Sequence, residues 1–420
     1  MTFGRLKRRL YQLGFIDEFG PLYAVYTLWF NDNGVSTAQI SAAFLVWALF
    51  ALVLEIPSGA LADRVDRRHL LAWAFGIRMV GISVWLLWPT FSGLLIGAAL
   101  WAAHDAAASG SWEAMIHDQL TAVDQAHDYQ PVMARIGQFS HVGLAAGTLL
   151  GAVLLQVDVG IETLGWLTVA AHVGSISGVL ALPDAGRVVA EALLPDTSAS
   201  SPRTGPISGQ ILDDVARGAQ SPLVAWWTTL RQGINDARHV PLIAKLVFVG
   251  AMLEGLFILD EYVPLIARAR GSADSAVPII VFVVWVGLLV GGEVAARRTS
   301  IGSPALGITL IIAVAVTTIA FVTTSVWTLV LIAVGYGALE TVWIATDARM
   351  QERTPTATRA TVTSVRGFGG ATVSMLAFVI IGLMSDGDDP TPGHFIVLAA
   401  LAITGVLIIQ WLPKPAQTDQ

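Results

Sequence analysis

Long apolar runs, separated by short polar stretches, recur along the whole chain. Each run is about 20 residues long, enough to cross a bilayer core of about 30 Å as a helix. No run alternates apolar and polar residues as a membrane barrel strand does, and backbone polar groups cannot go unsatisfied in hydrocarbon, so we predict helices. The predicted spans, numbered 1 to 12, cover residues 11–31, 37–60, 70–89, 93–117, 132–156, 162–182, 241–266, 276–295, 303–323, 326–346, 360–384 and 394–412.

Composition supports this pattern. Only 13% of the 420 residues are charged and 55% are hydrophobic, with a mean hydropathy of +0.67. Soluble proteins carry about 25% charged residues, so a soluble fold of this size would lack polar groups to cover itself. We therefore predict an all-α integral membrane protein. The net charge of −7 lies mainly in loops and says little about partners, and we expect no nucleic-acid partner.

Two absences narrow the chemistry. The sequence has no cysteine, so disulfides and thiolate metal sites are excluded. We find no motif typical of an enzyme, a cofactor, a bound metal or ATP hydrolysis.

The basic N-terminus, MTFGRLKRRL, leads into an apolar run that resembles a signal peptide, but Asp17 and Glu18 interrupt it and no small-residue cleavage site follows. We interpret that run as a retained first span.

The distribution of basic residues predicts the orientation. With the N-terminus inside, most loop Arg and Lys residues fall on the cytoplasmic side, and the outside loops receive only Arg268 and Arg270. The expectation is a multi-pass protein of the plasma (bacterial inner) membrane with both termini cytoplasmic. It would consist of a six-helix half (residues 1–182), a cytoplasmic linker with an amphipathic helix (183–240) and a second six-helix half (241–420).

Acidic residues inside the predicted spans are the candidate functional groups. An ionised group at the bilayer centre is costly and usually faces a cavity or a partner. The acids fall on every third span (1, 4, 7 and 10), as expected if these spans surround a common wet space. The candidates for a proton and substrate cavity are Asp17, Glu18, Asp105, Glu113, Glu254, Asp260, Glu261 and Glu340. For each position taken singly, the alternative is a structural pair that only holds helices together.

Two echoes suggest that the halves are repeats. FIDEFGPLY in span 1 resembles ILDEYVPLI in span 7, which pairs Asp17 with Asp260. Aligning the glycines after these spans, Gly34 and Gly271, pairs Asp17 with Glu254 instead, and the sequence leaves both registers open. A weaker echo, Gly-x-x-Glu, occurs in GSWEA of span 4 and GALET of span 10.

The loop between spans 2 and 3 carries the most specific motif. GALADRVDRR, residues 59–68, resembles motif A of the major facilitator superfamily and departs from it only at Asp66, where the family usually has Gly. Spacing and position in the chain both match. The resemblance covers essentially the whole chain and implies twelve spans in two six-helix halves around a central cavity lined by spans 1, 4, 7 and 10. Within the family, the sequence looks most like the drug- and metabolite-efflux branch.

The resemblance also implies a cytoplasmic gate. Asp63 would engage the start of span 11, where Arg359 and Arg366 are available, and Arg67 would pair with Asp118. The full set of expected gate residues is Gly59, Asp63, Arg64, Arg67, Arg68, Asp118, Arg359 and Arg366. The arginine of motif B is missing from span 4, and Arg78 on span 3 is a possible substitute. This departure leaves the direction of transport open.

The sequence therefore predicts a monomeric secondary active transporter that works by alternating access. The first hypothesis is proton-coupled efflux of a small lipophilic or cationic compound, with protons, this substrate and the lipid bilayer as its partners. The alternative is a proton-coupled symporter for metabolite uptake. A third interpretation, a non-transporting receptor or scaffold, fits less well because the motif and the intramembrane acids are all present.

Overall fold

The computed structural model describes residues 1–62, 65–109, 111–185, 231, 240–298, 301–323, 325–355 and 359–412. Within these residues the fold is helical, as predicted, and no strand forms. The helices are α1 Phe3–Glu18, α2 Tyr26–Asp32, α3 Thr37–Ala62, α4 Arg67–Leu87, α5 Phe91–Ala108, α6 Ser111–Thr121, α7 Tyr129–Gln156, α8 Ile161–Leu180, α9 Pro241–Gly255, α10 Val263–Ala269, α11 Val277–Arg297, α12 Ser303–Val322, α13 Val330–Arg353, α14 Arg359–Met384 and α15 Thr391–Trp411.

Eleven helical segments of the described chain are long and apolar enough to cross a membrane. They correspond to predicted spans 2 to 12, and their ends lie within a few residues of the predicted ones at most boundaries. The predicted amphipathic helix of the linker, in residues 224–240, falls almost entirely outside the described residues.

Predicted span 1 is different, because a continuous helix over residues 11–31 is wrong. Helix α1 ends at Glu18, residues 19–25 are not helical, and the short helix α2 follows. The Gly20–Pro21 step explains the interruption. Proline has no backbone N–H to donate and disfavours helical backbone in the residue before it. As a result, the first acid pair lies at the end of a helix rather than within one.

A similar interruption occurs at the second acid pair. Helix α9 ends at Gly255, and residues Phe257–Tyr262 form a tighter 3₁₀ turn that contains Asp260 and Glu261. Helix α10 then begins at Val263, with Pro264 in its first turn, where a missing N–H costs nothing. Both acid pairs therefore lie where regular helical hydrogen bonding stops.

The helices pack mainly within two groups, the N-terminal part (residues 1–185) and the C-terminal part (residues 240–412). In the N-terminal part, α1 packs on α7 and α8, α4 on α5 and α8, and α3 on α5. In the C-terminal part, α9 packs on α14, α11 on α13, and α12 on α13 and α15. The two parts meet along α3 and α14, α7 and α11, and α2 and α10.

Glycine brings α11 and α13 into close contact. A Cβ atom built on Gly287 would lie 2.1 Å from the carbonyl oxygen of Ala333, and one on Gly291 would lie 2.0 Å from that of Gly337. Such distances leave no room for a side chain, so the two backbones touch directly. Small residues serve the same purpose in other membrane helix pairs.

At one end of the bundle, an arginine joins the two parts. Arg268, in α10, donates hydrogen bonds to Asp32 at the end of α2, 2.6 and 3.3 Å long, and to Asp274 of its own part, 2.8 and 3.1 Å long. Nearby, the Thr37 hydroxyl donates to the carbonyl oxygen of Asp388 at 2.9 Å, again from one part to the other. We call this the Arg268 end.

The opposite end carries the motif between α3 and α4. Arg67 forms an ion pair with Asp118, and Arg68 pairs with Asp66 at 2.6 Å and with Asp184 at 3.3 Å. Asp66 caps α4 by accepting a hydrogen bond from the backbone N–H of Arg68. The hydrogen bonds from Arg68 hold the pKa of Asp66 below its usual value.

Candidate functional site

A cavity of about 360 Å³ lies between the N-terminal and C-terminal parts, beside the breaks in both acid-bearing segments. Three of the predicted acids line it, Glu18, Asp260 and Glu261, together with one base, Arg78. Aromatic rings supply much of the remaining wall: Tyr23, Tyr26, Phe44, Trp47, Trp85, Trp101, Phe257, Trp285 and Phe378. The cavity therefore combines an aromatic surface with an excess of acidic groups.

Glu261 forms a hydrogen bond across the boundary between the parts. The hydroxyl of Tyr26, from the N-terminal part, donates to Glu261 Oε2 at 2.5 Å. The ring of Tyr26 stacks on Trp85 with centroids 5.4 Å apart and an interplanar angle of 6°. Trp85 in turn stacks on Trp101 at 5.4 Å and 24°. One wall of the cavity is thus a stack of three aromatic rings that ends at a carboxylate of the other part.

Arg78 closes the far end of this stack. Its guanidinium lies 4.7 Å from the ring centroid of Trp101 and donates to the Tyr23 hydroxyl at 2.5 Å. That hydroxyl also lies 3.3 Å from Nε2 of the fully buried His172. Asp17, behind this wall, is 3.7 Å from Arg78. A buried guanidinium over an aromatic ring is favourable, and here it also balances a carboxylate.

Asp105 does not line the cavity but is connected to it. Its Oδ2 accepts a hydrogen bond of 3.0 Å from the indole N–H of Trp47, which does line the cavity, and its Oδ1 lies 2.9 Å from Nδ1 of His104. Asp260, on the opposite side, lies 3.4 Å from the hydroxyl of Tyr336. Both carboxylates therefore have neutral or titratable partners.

The remaining predicted acids lie elsewhere. Glu254 does not line the cavity but belongs to an ion cluster with Arg366 and Asp347. One guanidinium nitrogen of Arg366 lies 3.3 Å from Glu254 and 3.2 Å from Asp347. Glu113 is exposed and Glu340 is half-buried, and neither lines the cavity. The Gly-x-x-Glu echo thus places its two glutamates in different surroundings.

The predicted gate is described only in part. The ion pair between Arg67 and Asp118 is present, and Arg359 donates to the carbonyl oxygen of Thr354 at 3.4 Å. Asp63 and Arg64 lie outside the described residues, as do the surroundings of Gly59. The expected contact between Asp63 and α14 therefore stays a prediction, while Arg366 contacts the two acids of its own part.

One repeat was missed at the sequence level. Trp101 and Asp105 in WAAHD, and Trp343 and Asp347 in WIATD, share the spacing Trp-x-x-x-Asp, which places both side chains on one helix face. In each part an arginine from another helix lies over the tryptophan: Arg78 at 4.7 Å and Arg366 at 5.8 Å. The shared spacing could have been found in the sequence. Only the structure shows that an arginine lies over the tryptophan in both parts.

Among the residues that the structure describes, no group of three or more His, Asp or Glu side chains is placed to hold a metal ion. What the cavity offers instead is a set of carboxylates next to aromatic rings, which suits a proton or an organic cation.

The chain resembles known proteins in sequence and in fold. The sequence profile of the Major Facilitator Superfamily matches residues 13–378. The curated inner membrane transport protein YajR of Escherichia coli (strain K12) is 25% identical over 158 residues, 38% of this chain. That match spans only a third (33%) of the relative's length.

Several solved structures share the fold at low sequence identity. The nucleoside transporter NupG aligns with a TM-score of 0.68 at 14% identity, covering 97% of this chain and 98% of that one. A D-xylose-proton symporter gives 0.68 at 12% identity, with 97% of each chain covered. A bacterial homologue of the iron transporter ferroportin, in an inward-facing state, gives 0.68 at 14% identity, covering 98% and 99%.

Proposed function

Because the chain belongs to the major facilitator superfamily, a family of membrane transporters, we propose that it exports a small lipophilic or cationic compound in exchange for protons. The observation that carries this proposal is the cavity between the two parts, where Glu18, Asp260 and Glu261 face an aromatic wall. Aromatic faces attract organic cations, and neighbouring carboxylates supply the opposite charge.

In this proposal Glu261 is the exchange group. Its partner, the Tyr26 hydroxyl, is neutral, and no described basic residue forms an ion pair with it. A carboxylate in this position can bind either a proton or a substrate cation, and competition between the two gives antiport. Arg78 is already balanced by Asp17 and lies over Trp101, which leaves the acids at the other side available.

Alternating access would then move the two parts against each other around this cavity. We propose that the Arg268 end faces outside and that both termini are cytoplasmic, with α1 and α2 together forming a twelfth span of a monomer in the bacterial inner membrane. The contacts of Arg268 and Thr37 would hold the outer end closed. The opposite end, with the ion pair between Arg67 and Asp118 and with Asp63, would form the inner gate.

Flux in proteoliposomes tests the proposal. Purified protein is reconstituted, the membrane potential is clamped at zero, and accumulation of the lipophilic cation tetraphenylphosphonium is followed under an imposed pH gradient. We expect accumulation when the lumen is acidic, because protons leaving the lumen drive the cation in. Glu261→Gln should abolish the gradient-driven component, whereas Glu162→Gln, which changes an exposed acid at the start of α8, should retain it.

The direction of the gradient separates the alternatives. Accumulation only with an alkaline lumen would mean that proton and cation move together, which is the symporter. Antiport through Glu261 is refuted if Glu261→Gln transports like the wild type. The absence of a pH-driven component over protein-free liposomes, for this cation and other lipophilic cations, would overturn proton-coupled cation export as a whole.

A further inference from the structure

Arg366 lies between two carboxylates in the C-terminal part, in a cluster that does not line the central cavity. Its Nη1 atom is 3.3 Å from Glu254 Oε2 and 3.2 Å from Asp347 Oδ1. The three residues come from three helices, α9, α13 and α14. We call this group the Arg366 cluster.

The guanidinium of the cluster is largely enclosed, its carboxylates are less so, and the polar atoms are poorly matched. The exposed fraction of the side chain is 12% for Arg366, 34% for Glu254 and 30% for Asp347. Glu254 Oε2, Asp347 Oδ1 and Arg366 Nε are all buried, and none has a hydrogen-bond partner among the described residues. Both carboxylates thus approach one nitrogen without proper hydrogen-bond geometry, while another N–H of the same guanidinium stays unused. Buried polar groups are usually satisfied, so this arrangement calls for an explanation.

The charges do not balance either. Two ionised carboxylates and one guanidinium leave one negative charge in a partly enclosed site, which is unfavourable unless something neutralises it. In the N-terminal part, two acids near an arginine and a tryptophan have separate partners: Asp17 has Arg78, and Asp105 has His104 and Trp47. Among the residues that the structure describes, the Arg366 cluster has a single cation for two acids.

Other charged groups on the neighbouring helices have partners elsewhere. Lys245 of α9 lies over the ring of Trp411. Arg349 of α13 donates to Ser303, and Glu293 and Arg297 of α11 pair with each other. The further charges on the packed elements are Glu340, Glu352 and Arg353 of α13 and Arg359 of α14, while the side chain of Glu55 in α3, and Asp63 and Arg64, lie outside the description. Among the described residues, no second cation pairs with Glu254 or Asp347.

We propose that the Arg366 cluster binds one exchangeable proton, shared between Glu254 and Asp347, and is a second proton site separate from the cavity. With one carboxyl protonated, the other pairs one-to-one with Arg366 and the cluster is neutral. When the proton leaves to water, two carboxylates compete for one guanidinium and the contacts among α9, α13 and α14 weaken. A role for this change in the transport cycle rests on the proton-coupled function proposed above, whereas the site itself does not.

Infrared spectroscopy tests the site directly. A protonated carboxyl group has a carbonyl stretching band that a carboxylate lacks, so spectra of purified protein in lipid at acidic and alkaline pH reveal each titrating acid. We expect Glu254→Gln and Asp347→Asn each to lose the band of one carboxyl group from the wild-type difference spectrum. Both variants keep a balanced pair with Arg366, so both should fold. The control, Glu162→Gln, should leave that band in place.

If both variants retain the full wild-type difference band, both acids are ionised throughout and the cluster is only structural. If only one variant loses the band, the residue changed in that variant holds the proton alone, and a shared proton is refuted. The two proposals also fail separately. Loss of the band in variants of a protein without pH-driven transport would sustain the site and refute the proposed function. An unchanged band beside normal pH-driven transport would do the reverse.

Discussion

The ion pair between Arg268 and Asp32 joins the two parts of the bundle at one end, so Asp32→Asn should favour separation there. The substitution keeps the size of the side chain and removes its charge. Two hydrogen bonds of 2.6 and 3.3 Å are affected, between side chains that are 23% and 45% exposed. The hydrogen bond from Thr37 to the Asp388 carbonyl is unaffected, so the end should not open fully.

The size of the effect follows from the exposure. Exposed ion pairs contribute about 0.2–1 kcal/mol, and hydrogen bonds to charged groups about 1.5–3 kcal/mol when they are well shielded. Because both side chains are partly exposed, we expect about 1 kcal/mol, which changes the ratio of open to closed molecules about fivefold.

Spin-label distances measure this ratio. The chain has no cysteine, so Ala38→Cys and Ala273→Cys, at exposed positions of the two parts near the Arg268 end, give a unique label pair for double electron–electron resonance. Asp32→Asn should enlarge the long-distance population. Asp274→Asn is the matched control, because it removes the same charge from the same arginine but breaks a contact within the C-terminal part. The reasoning is refuted if Asp32→Asn changes nothing, or if Asp274→Asn opens this end equally.

Two further predictions concern stability. Gly291→Ala should lower the free energy of unfolding by about 1–3 kcal/mol, because its Cβ would meet the Gly337 carbonyl oxygen at 2.0 Å. At the adjacent Gly292, the nearest atom to an added Cβ is 3.9 Å away. Gly292→Ala should therefore retain as much folded protein as wild type in size-exclusion chromatography after heating. Equal losses of folded protein in both variants would contradict the close-packing argument. Asp66, whose pKa is lowered by Arg68, should stabilise the fold above its unfolded-state value of 3.8 and lose this contribution as the pH falls below it. The difference in melting temperature between wild type and Asp66→Ala should therefore shrink on acidification below that value, and a constant difference would exclude an electrostatic origin.

Much of the fold was predictable from sequence, for a physical reason. In a bilayer a long apolar run has few options other than a helix, so hydropathy alone placed eleven segments close to their observed bounds. The same averaging concealed the break in the first predicted span, since Gly20 and Pro21 barely change the mean hydropathy of a window. Local backbone chemistry, rather than hydropathy, ends α1 at Glu18.

The candidate site was less predictable, because it depends on which helix faces which. The sequence indicated acids on spans 1, 4, 7 and 10, but only Glu18, Asp260 and Glu261 line the cavity. Glu254 is on the same predicted span as Glu261, span 7, yet contacts Arg366. The stack of Tyr26, Trp85 and Trp101 joins three segments of the chain, and the spacing of these residues along the sequence does not predict it.

The structure also reconciles the two registers that relate spans 1 and 7. Helices α2 and α10 are both seven residues long, and each is followed by a glycine with positive φ, Gly34 at 81° and Gly271 at 78°. The acid pairs precede these helices at different distances, because residues 19–25 are non-helical whereas the second pair lies within a 3₁₀ turn that leads directly into α10. Extra residues at the first break therefore account for the difference between the two registers. The match of the acid pairs and the match of Gly34 with Gly271 can both reflect the repeat. Glu18 and Glu261 then occupy comparable positions, each at an interruption that reaches the cavity. Backbone groups freed at such breaks also need a polar environment, so the break and the acid pair require the same wet space.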